Sequence, residues 1–273
     1  MTTPLRLSSR DNPLLVRLRR LVQDGSAYRR GGLVWLEGEH LCEAAAACRV
    51  PVMQALLSDS GYERAGLREL ASHAPRVAVV PDALMRQLGT LESPAPIGFV
   101  LDATARPTQP RGGSSSVVLD RVQDAGNVGS ILRSAAALGV EQVIALKGTV
   151  ALWSPKALRA GMGAHFALHL VEDQPPEVLD GLDVPLVATM PHAGVALHEA
   201  PLPEPMAWVF GHEGRGVDEA VLARCALQLR IPQPGGQESL NVAAAAAICL
   251  YEASLGRGRR PGPRAVSTPA DRA

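Results

Sequence analysis

Three stretches of this chain concentrate glycines and polar side chains at spacings that could do chemistry. The first reads Asp120-Arg121-Val122-Gln123-Asp124-Ala125-Gly126-Asn127-Val128-Gly129-Ser130-Ile131-Leu132-Arg133. Asn127 stands where a helix is expected to begin. One reading makes it an N-cap, with Gly129 a packing position and Arg133 a solvated residue of the second turn. The other is a polar pocket at the helix start, with Arg133 aimed back at an anionic group. The second stretch, Gly211-His212-Glu213-Gly214-Arg215-Gly216-Val217, has glycines that allow close backbone approach. Glu213 could bind a ligand, hold the adjoining loops or simply be solvated. The third, from Pro232 through Ser239, Leu240, Asn241 and Val242, runs into five alanines. Ser239 or Asn241 could cap the helix that follows. The alanines would let a backbone or a flat ligand come close, although alanine is also simply the best helix former.

What positions these stretches is a series of short apolar strands separated by helices. Apolar runs predict strands at 117–119, 142–146, 166–171, 185–189, 207–210 and 227–231, and helices at 128–138, 155–160 and 241–255. Such alternation implies an α/β fold with a parallel sheet covered on both faces. In such sheets ligands sit beyond the carboxyl ends of the strands, and all three stretches follow strands. Upstream, 102–115 reads as a linker rich in Pro, Gly and Ser. Residues 1–101 form a small α/β unit with helices at 14–22 and 40–48, strands at 33–36 and 77–80, and 52–57 as a strand or a helix end. Residues 116–256 are then the second domain, and 257–273 reads as a disordered basic tail.

Composition is consistent with this division. At 273 residues, two compact units are the expectation, and 47% hydrophobic residues supply a core. Net charge is zero, so the whole chain announces no nucleic-acid partner. Locally, Arg10, Arg17, Arg19 and Arg20 crowd the start of the chain and give the helix at 14–22 a basic face that either contacts phosphate or is only solvated. The four cysteines form no C-x-x-C pair, predicting buried reduced thiols and no metal site. No apolar run approaches membrane-spanning length, and the polar amino terminus lacks a signal-peptide core; both predict a soluble cytoplasmic protein without membrane partners.

Taken together the stretches resemble the SpoU (TrmH-like) RNA ribose 2′-O-methyltransferases of the SPOUT superfamily. The matching residues are Asn127, Gly129 and Arg133 in N-x-G-x-x-x-R, and Gly211, Glu213, Gly214 and Gly216 in G-x-E-G-x-G. Ile231, Pro232, Ser239, Leu240, Asn241 and Val242 complete the pattern, with Ser154–Ala164 as an intermediate segment. The likeness covers residues 116–255. It extends more weakly to Ser9–Pro13 and Leu36–Gly38, which resemble an RNA-binding front domain of many members. Two positions depart: His212 stands where Asn is common, and Gly161 where Ser is common.

The resemblance implies a trefoil knot at the carboxy-terminal end, a homodimer, and S-adenosyl-L-methionine as cofactor. It places the cofactor against Thr189, Gly211, Glu213, Gly216, Ile231, Leu240 and Asn241. Arg133 is implied as the catalytic residue, with Asn127, Glu213, Ser239 and Asn241 arranging it, and Arg10, Arg17, Arg20 and Arg133 as RNA contacts. A guanidinium is a poor general base, so Arg133 is expected to bind the neighbouring phosphate and stabilise developing alkoxide charge. Glu213 is expected to orient Arg133 or a partner loop. Ribosomal RNA of the large subunit is the favoured substrate and tRNA the rival. A non-catalytic RNA-binding protein is the alternative of another class. A dinucleotide-binding fold is disfavoured because Gly161-Met162-Gly163 is followed by Phe166 where its third glycine belongs, and no P-loop pattern occurs.

Overall fold

The computed structural model of the chain describes residues 4–89, 93–235 and 239–258. Its first unit contains β1 (Leu5–Arg6), α1 (Pro13–Gln23), α2 (Ala27–Gly31), β2 (Leu33–Glu37), α3 (Glu39–Ala47) and β3 (Val52–Ser58). It continues with α4 (Asp59–Glu63), α5 (Ala65–Ala71), β4 (Val77–Val80), α6 (Asp82–Met85) and β5 (Ile97–Asp102). The strands form one sheet in the order β1-β4-β3-β5-β2. β5 runs antiparallel to both β2 and β3. The sequence pattern left this strand unassigned, and its burial on both faces explains why: Ile97, Phe99, Val100 and Leu101 are all interior, so no alternation marks it. α1 begins at the cap Asn12, whose side chain accepts from Leu14 N–H, and buries Leu15, Leu18 and Leu21.

The second unit contains β6 (Ser116–Asp120), α7 (Ala125–Ala137), β7 (Gln142–Leu146), α8 (Pro155–Gly161) and β8 (His169–Gln174). It ends with β9 (Leu186–Thr189), β10 (Val195–Ala196), β11 (Ala207–Gly211), α9 (Glu219–Leu222), β12 (Leu227–Arg230) and α10 (Val242–Gly258). Its seven strands are all parallel, in the order β10-β12-β9-β11-β6-β7-β8. Both faces are buried. Val117, Leu119, Trp208 and Phe210 enter one core with α7 and α10, whereas Val118, Val209 and Ile144 enter the other. This accounts for the unbroken apolar runs of the strands. One boundary moves: a single-turn helix at Ala164–Phe166 occupies the start of the strand expected at 166–171, and β8 begins at His169. α10 also runs on to Gly258, so the first two positions of the expected tail are helical. The remaining positions, 259–273, lie outside the described residues.

The stretch between β5 and β6 is tied down rather than loose. Arg111 N–H donates to Gln142 Oε1, Ser114 Oγ to Glu141, and the Gln109 carbonyl meets His169 Nε2 at 2.8 Å. The two units meet at the buried carboxylate of Glu172. It accepts from Tyr28 Oη at 2.5 Å, Arg29 at 3.1 Å, Arg106 at 2.5 Å and Leu152 N–H at 2.9 Å. A buried carboxylate needs such complete pairing, because an uncompensated charge there is costly. Two cysteines are buried, Cys42 and Cys249; Cys225 is half-buried and Cys48 exposed, and all are free thiols. Among the described residues no helix is long and apolar enough to cross a membrane.

Candidate active site

The loops after β9, β11 and β12, together with the start of α10, line a cavity of about 560 Å³. Thr189, Gly211, Glu213, Gly216, Ile231, Ser239, Leu240 and Asn241 all line it. A smaller cleft of about 200 Å³ lies around Ser115, Met206 and Trp208, at the opposite ends of the strands. The larger one occupies the carboxyl edge, where parallel α/β sheets bind ligands.

Glu213 is the joint of the site. Its Oε2 accepts from Gln123 N–H at 3.1 Å, and its Oε1 from Asp124 N–H and Asn127 Nδ2, both at 3.1 Å. Asn127 Oδ1 in turn accepts from Asn241 Nδ2 at 3.0 Å. Asn241 Oδ1 accepts from Ala243 and Ala244 N–H, which makes Asn241 the cap of α10. One chain of hydrogen bonds therefore runs from the β11 loop through the start of α7 to the start of α10. Burial alone would push the Glu213 carboxyl up, but donors from its own backbone, Asn127, Gln123 and Asp124 outweigh it and hold it below the usual range. Glu213 is thus an ionised clamp on loops; of the two expected partners, among the described residues it bonds the adjoining β6–α7 loop and not Arg133.

The cap of α7 is Asp124, not Asn127. Its carboxylate accepts from Gly126 and Asn127 N–H and pairs with Lys156 at 2.5 Å. Lys156 first, then the helix amides, lower its pKa. This releases the Asn127 side chain to bridge Glu213 and Asn241. The signal was present in the sequence, since Asp is as good a cap as Asn and stands three residues earlier. Three further residues had no such signal. Buried Asp120, at the end of β6, receives both arms of the Arg121 guanidinium at 2.9 and 3.0 Å and Asp218 N–H at 2.7 Å. Arg121 itself sits at φ 59° and donates its N–H to Thr149 Oγ1. These bonds fix the β6, β7 and β11 loops to one another.

Glycine geometry explains the β11 loop. A Cβ on Gly211 would stand 2.3 Å from Gly216 C and Val217 N, and Gly216 adopts φ 67°. Gly161, one of the two departures, is set by its neighbour: a side chain there would begin 2.6 Å from His165 Cε1. The buried His165 ring fills the space a serine would occupy. At the other departure, His212 Nδ1 accepts Gly214 N–H at 2.9 Å, the bond an asparagine Oδ1 would make in the same turn. Arg133 lies exposed on α7, two helical turns beyond the loop, and does not line the cavity.

The site fits a cofactor of nucleoside type. The cavity is of ordinary size for a small-molecule site. The Gln233 side-chain oxygen, buried on its wall, has no hydrogen-bond partner among the described residues and is available to an amino or hydroxyl group. Glycine backbone at Gly211, Gly214 and Gly216 can approach a flat base closely. Among the described residues no cluster of three His, Cys, Asp or Glu could hold a metal ion.

Fold and site together define a parallel-sheet α/β protein with a ligand-sized cavity built from carboxyl-edge loops. The family model described as "SpoU rRNA Methylase family" matches residues 114–251. The chain is 34% identical over 225 residues to the 23S rRNA guanosine 2′-O-methyltransferase RlmP of Bacillus subtilis, covering 79% of this chain and 86% of that protein. It is 33% identical to an uncharacterised tRNA/rRNA methyltransferase of Synechocystis, covering 90% and 92%. The structure of the SpoU methyltransferase AviRb from Streptomyces viridochromogenes with AdoMet superposes with TM-score 0.82 at 27% identity, covering 91% of this chain and 99% of that one. The chain belongs to the SpoU rRNA methylase family. It has the knotted SPOUT fold of that family, and it is an S-adenosylmethionine-dependent RNA ribose 2′-O-methyltransferase.

Proposed function

We propose that the chain methylates a ribose 2′-hydroxyl of large-subunit ribosomal RNA. The observation that carries this reading is the bond chain Glu213–Asn127–Asn241, which ties the family's three motifs together, two of them lining one cavity. The 23S rRNA activity in the name of the B. subtilis relative supports the choice of RNA. S-adenosylmethionine supplies an electrophilic methyl on a cationic sulfur. The protein's task is to hold the acceptor ribose and deal with its proton. Thr189, Gly211, Glu213, Gly216, Ile231, Leu240 and Asn241 form the cofactor side. Exposed Ser239 stands at the rim, where its hydroxyl can meet the RNA backbone.

Arg133 binds the phosphate beside the target ribose and stabilises alkoxide charge. It is exposed, and among the described residues it makes no ion pair. In the rate-versus-pH profile of Arg133→Lys, this role predicts partial activity with an unshifted profile. Near-full activity with an alkaline shift would make it a general base instead. The front unit, residues 1–101, adds phosphate contacts through exposed Arg10, Arg17 and Arg20, followed by the connecting stretch 102–115 and the methyltransferase unit 116–256. The protein acts in the cytoplasm as a homodimer. A stripe on α10, Ile248, Tyr251 and Leu255, is exposed at 41, 57 and 43% and recurs on one helix face, as an interface with a second copy requires. Mapping 2′-O-methyl groups in 23S rRNA and tRNA from a deletion strain tests the reading. A single missing 23S methyl, restored by the purified protein and S-adenosylmethionine, is expected; a missing tRNA methyl would reassign the substrate.

A further inference from the structure

The β11 loop is closed by three backbone bonds, one of them from Arg215 N–H to His212 O at 3.3 Å, and by one side chain. His212 N–H donates to Gly216 O at 3.0 Å and Gly216 N–H to His212 O at 2.8 Å. Across this narrow turn, His212 Nδ1 accepts Gly214 N–H at 2.9 Å. A ring nitrogen that accepts an N–H carries no proton, so the turn is built around a neutral imidazole protonated at Nε2. Adding the second proton to Nδ1 would set two donors against each other. The turn it closes supplies Gly211, Glu213, Gly214 and Gly216 to the cofactor cavity, and it carries the Glu213 clamp on α7.

We propose that His212 is a positioning residue whose neutral ring holds the cofactor loop, so that its protonation weakens S-adenosylmethionine binding. Histidine is the side chain that changes charge between pH 5 and 8, whereas an asparagine at this turn would make the same bond at every pH. Among the described residues, the other charged or titratable groups on the cavity wall are Glu213 and Arg215 on the same loop and His192 on the loop after β9. Glu213 is held as a carboxylate by its donors. On the packed β6–α7 side, Asp120 pairs with Arg121, which also meets Asp218, and Asp124 pairs with Lys156. α10 presents the uncharged Asn241. His192 is therefore the group that needs a control.

The test is calorimetric titration of the full chain with S-adenosylmethionine at pH 8 and pH 6, for the native protein, His212→Asn and His192→Asn. The quantity read is the ratio of Kd at the two pH values within each protein, so titration of the ligand's own amine affects all three alike. The native ratio is expected to exceed that of His212→Asn at least about twofold, and His192→Asn is expected to keep the native ratio. Equal ratios for the native protein and His212→Asn would overturn the proposal. So would a ratio lowered by His192→Asn alone. A second reading needs no variant: in the ¹⁵N-labelled native protein, the Gly214 amide proton should move over the same pH window as the affinity. An amide resonance unchanged between pH 8 and 6 would also overturn it.

Discussion

Glu213 carries more of the site than its place in an exposed glycine loop suggests. Three donors from the α7 side converge on its two oxygens, and each comes from a segment about ninety residues away in the chain. Replacing it with glutamine keeps the shape but turns an NH₂ group toward one of those donors. Loss of a hydrogen bond to a charged group costs about 1.5–3 kcal/mol. Glu213→Gln is accordingly expected to lower kcat roughly ten- to hundredfold. Its melting temperature should fall by roughly 3–10 °C, because the same bond holds loops of the folded state together. Single-turnover methylation alongside thermal unfolding separates the two effects; a native rate would mean that the clamp is dispensable.

At the scale of elements, the closest packing in the catalytic unit is between α7 and α8. A Cβ on Gly129 would lie 2.5 Å from both Ala157 O and Ala160 Cβ, so the two helices can touch only at glycine. His165, just beyond α8, is wholly buried; its Nε2 meets Leu152 O at 2.8 Å and its ring leans on Trp153. Burial, against weaker opposing effects of Leu152 O and Glu172, pushes its pKa down to about 4. The folded state therefore favours the neutral ring, while the unfolded chain takes up a proton near pH 6.5. Stability from this group is intact above pH 6.5 and falls as the pH drops toward 4, by about 3 kcal/mol in all. Denaturant midpoints of the native protein should decline over that window more steeply than those of His165→Gln. Identical slopes would refute the assignment.

The whole molecule is two sheets joined through Glu172, the Arg159–Glu37 pair and Leu158 packed into the front core, with an exposed apolar face on α10. Glu172 gathers Tyr28 and Arg29 from the front unit, Arg106 from the connecting stretch and Leu152 from the catalytic unit. Basic residues on the front unit are thereby kept in a fixed relation to the cofactor cavity. The other molecular feature is the α10 stripe. Placing charge in an apolar contact between copies disrupts it by desolvation. Ile248→Asp with Tyr251→Asp should convert a dimer to a monomer in light scattering without unfolding it, since both side chains are exposed in the single chain. A native protein that is already monomeric would remove the homodimer from the reading.

Much of the catalytic fold was legible along the chain, because strand and helix runs are local. The strands at 142–146 and 77–80 match their expected bounds, and the parallel sheet followed from unbroken apolar runs between helices. The motif residues were legible too, as types at fixed spacings beyond strands. What their side chains do was not. Asn127 and Asp124 are equally good caps, and only the position of Glu213, brought close by the pairing of β6 with β11, decides between them. The buried β5 gave no periodic signal, and the reason for Gly161 lay in a ring four residues on that its own turn folds back against it. The sequence by itself determined most elements of the catalytic unit, the family and the chemistry at stake. The tertiary structure alone decided which polar groups meet, because a hydrogen bond of about 3 Å depends on strand order and register that no local pattern encodes.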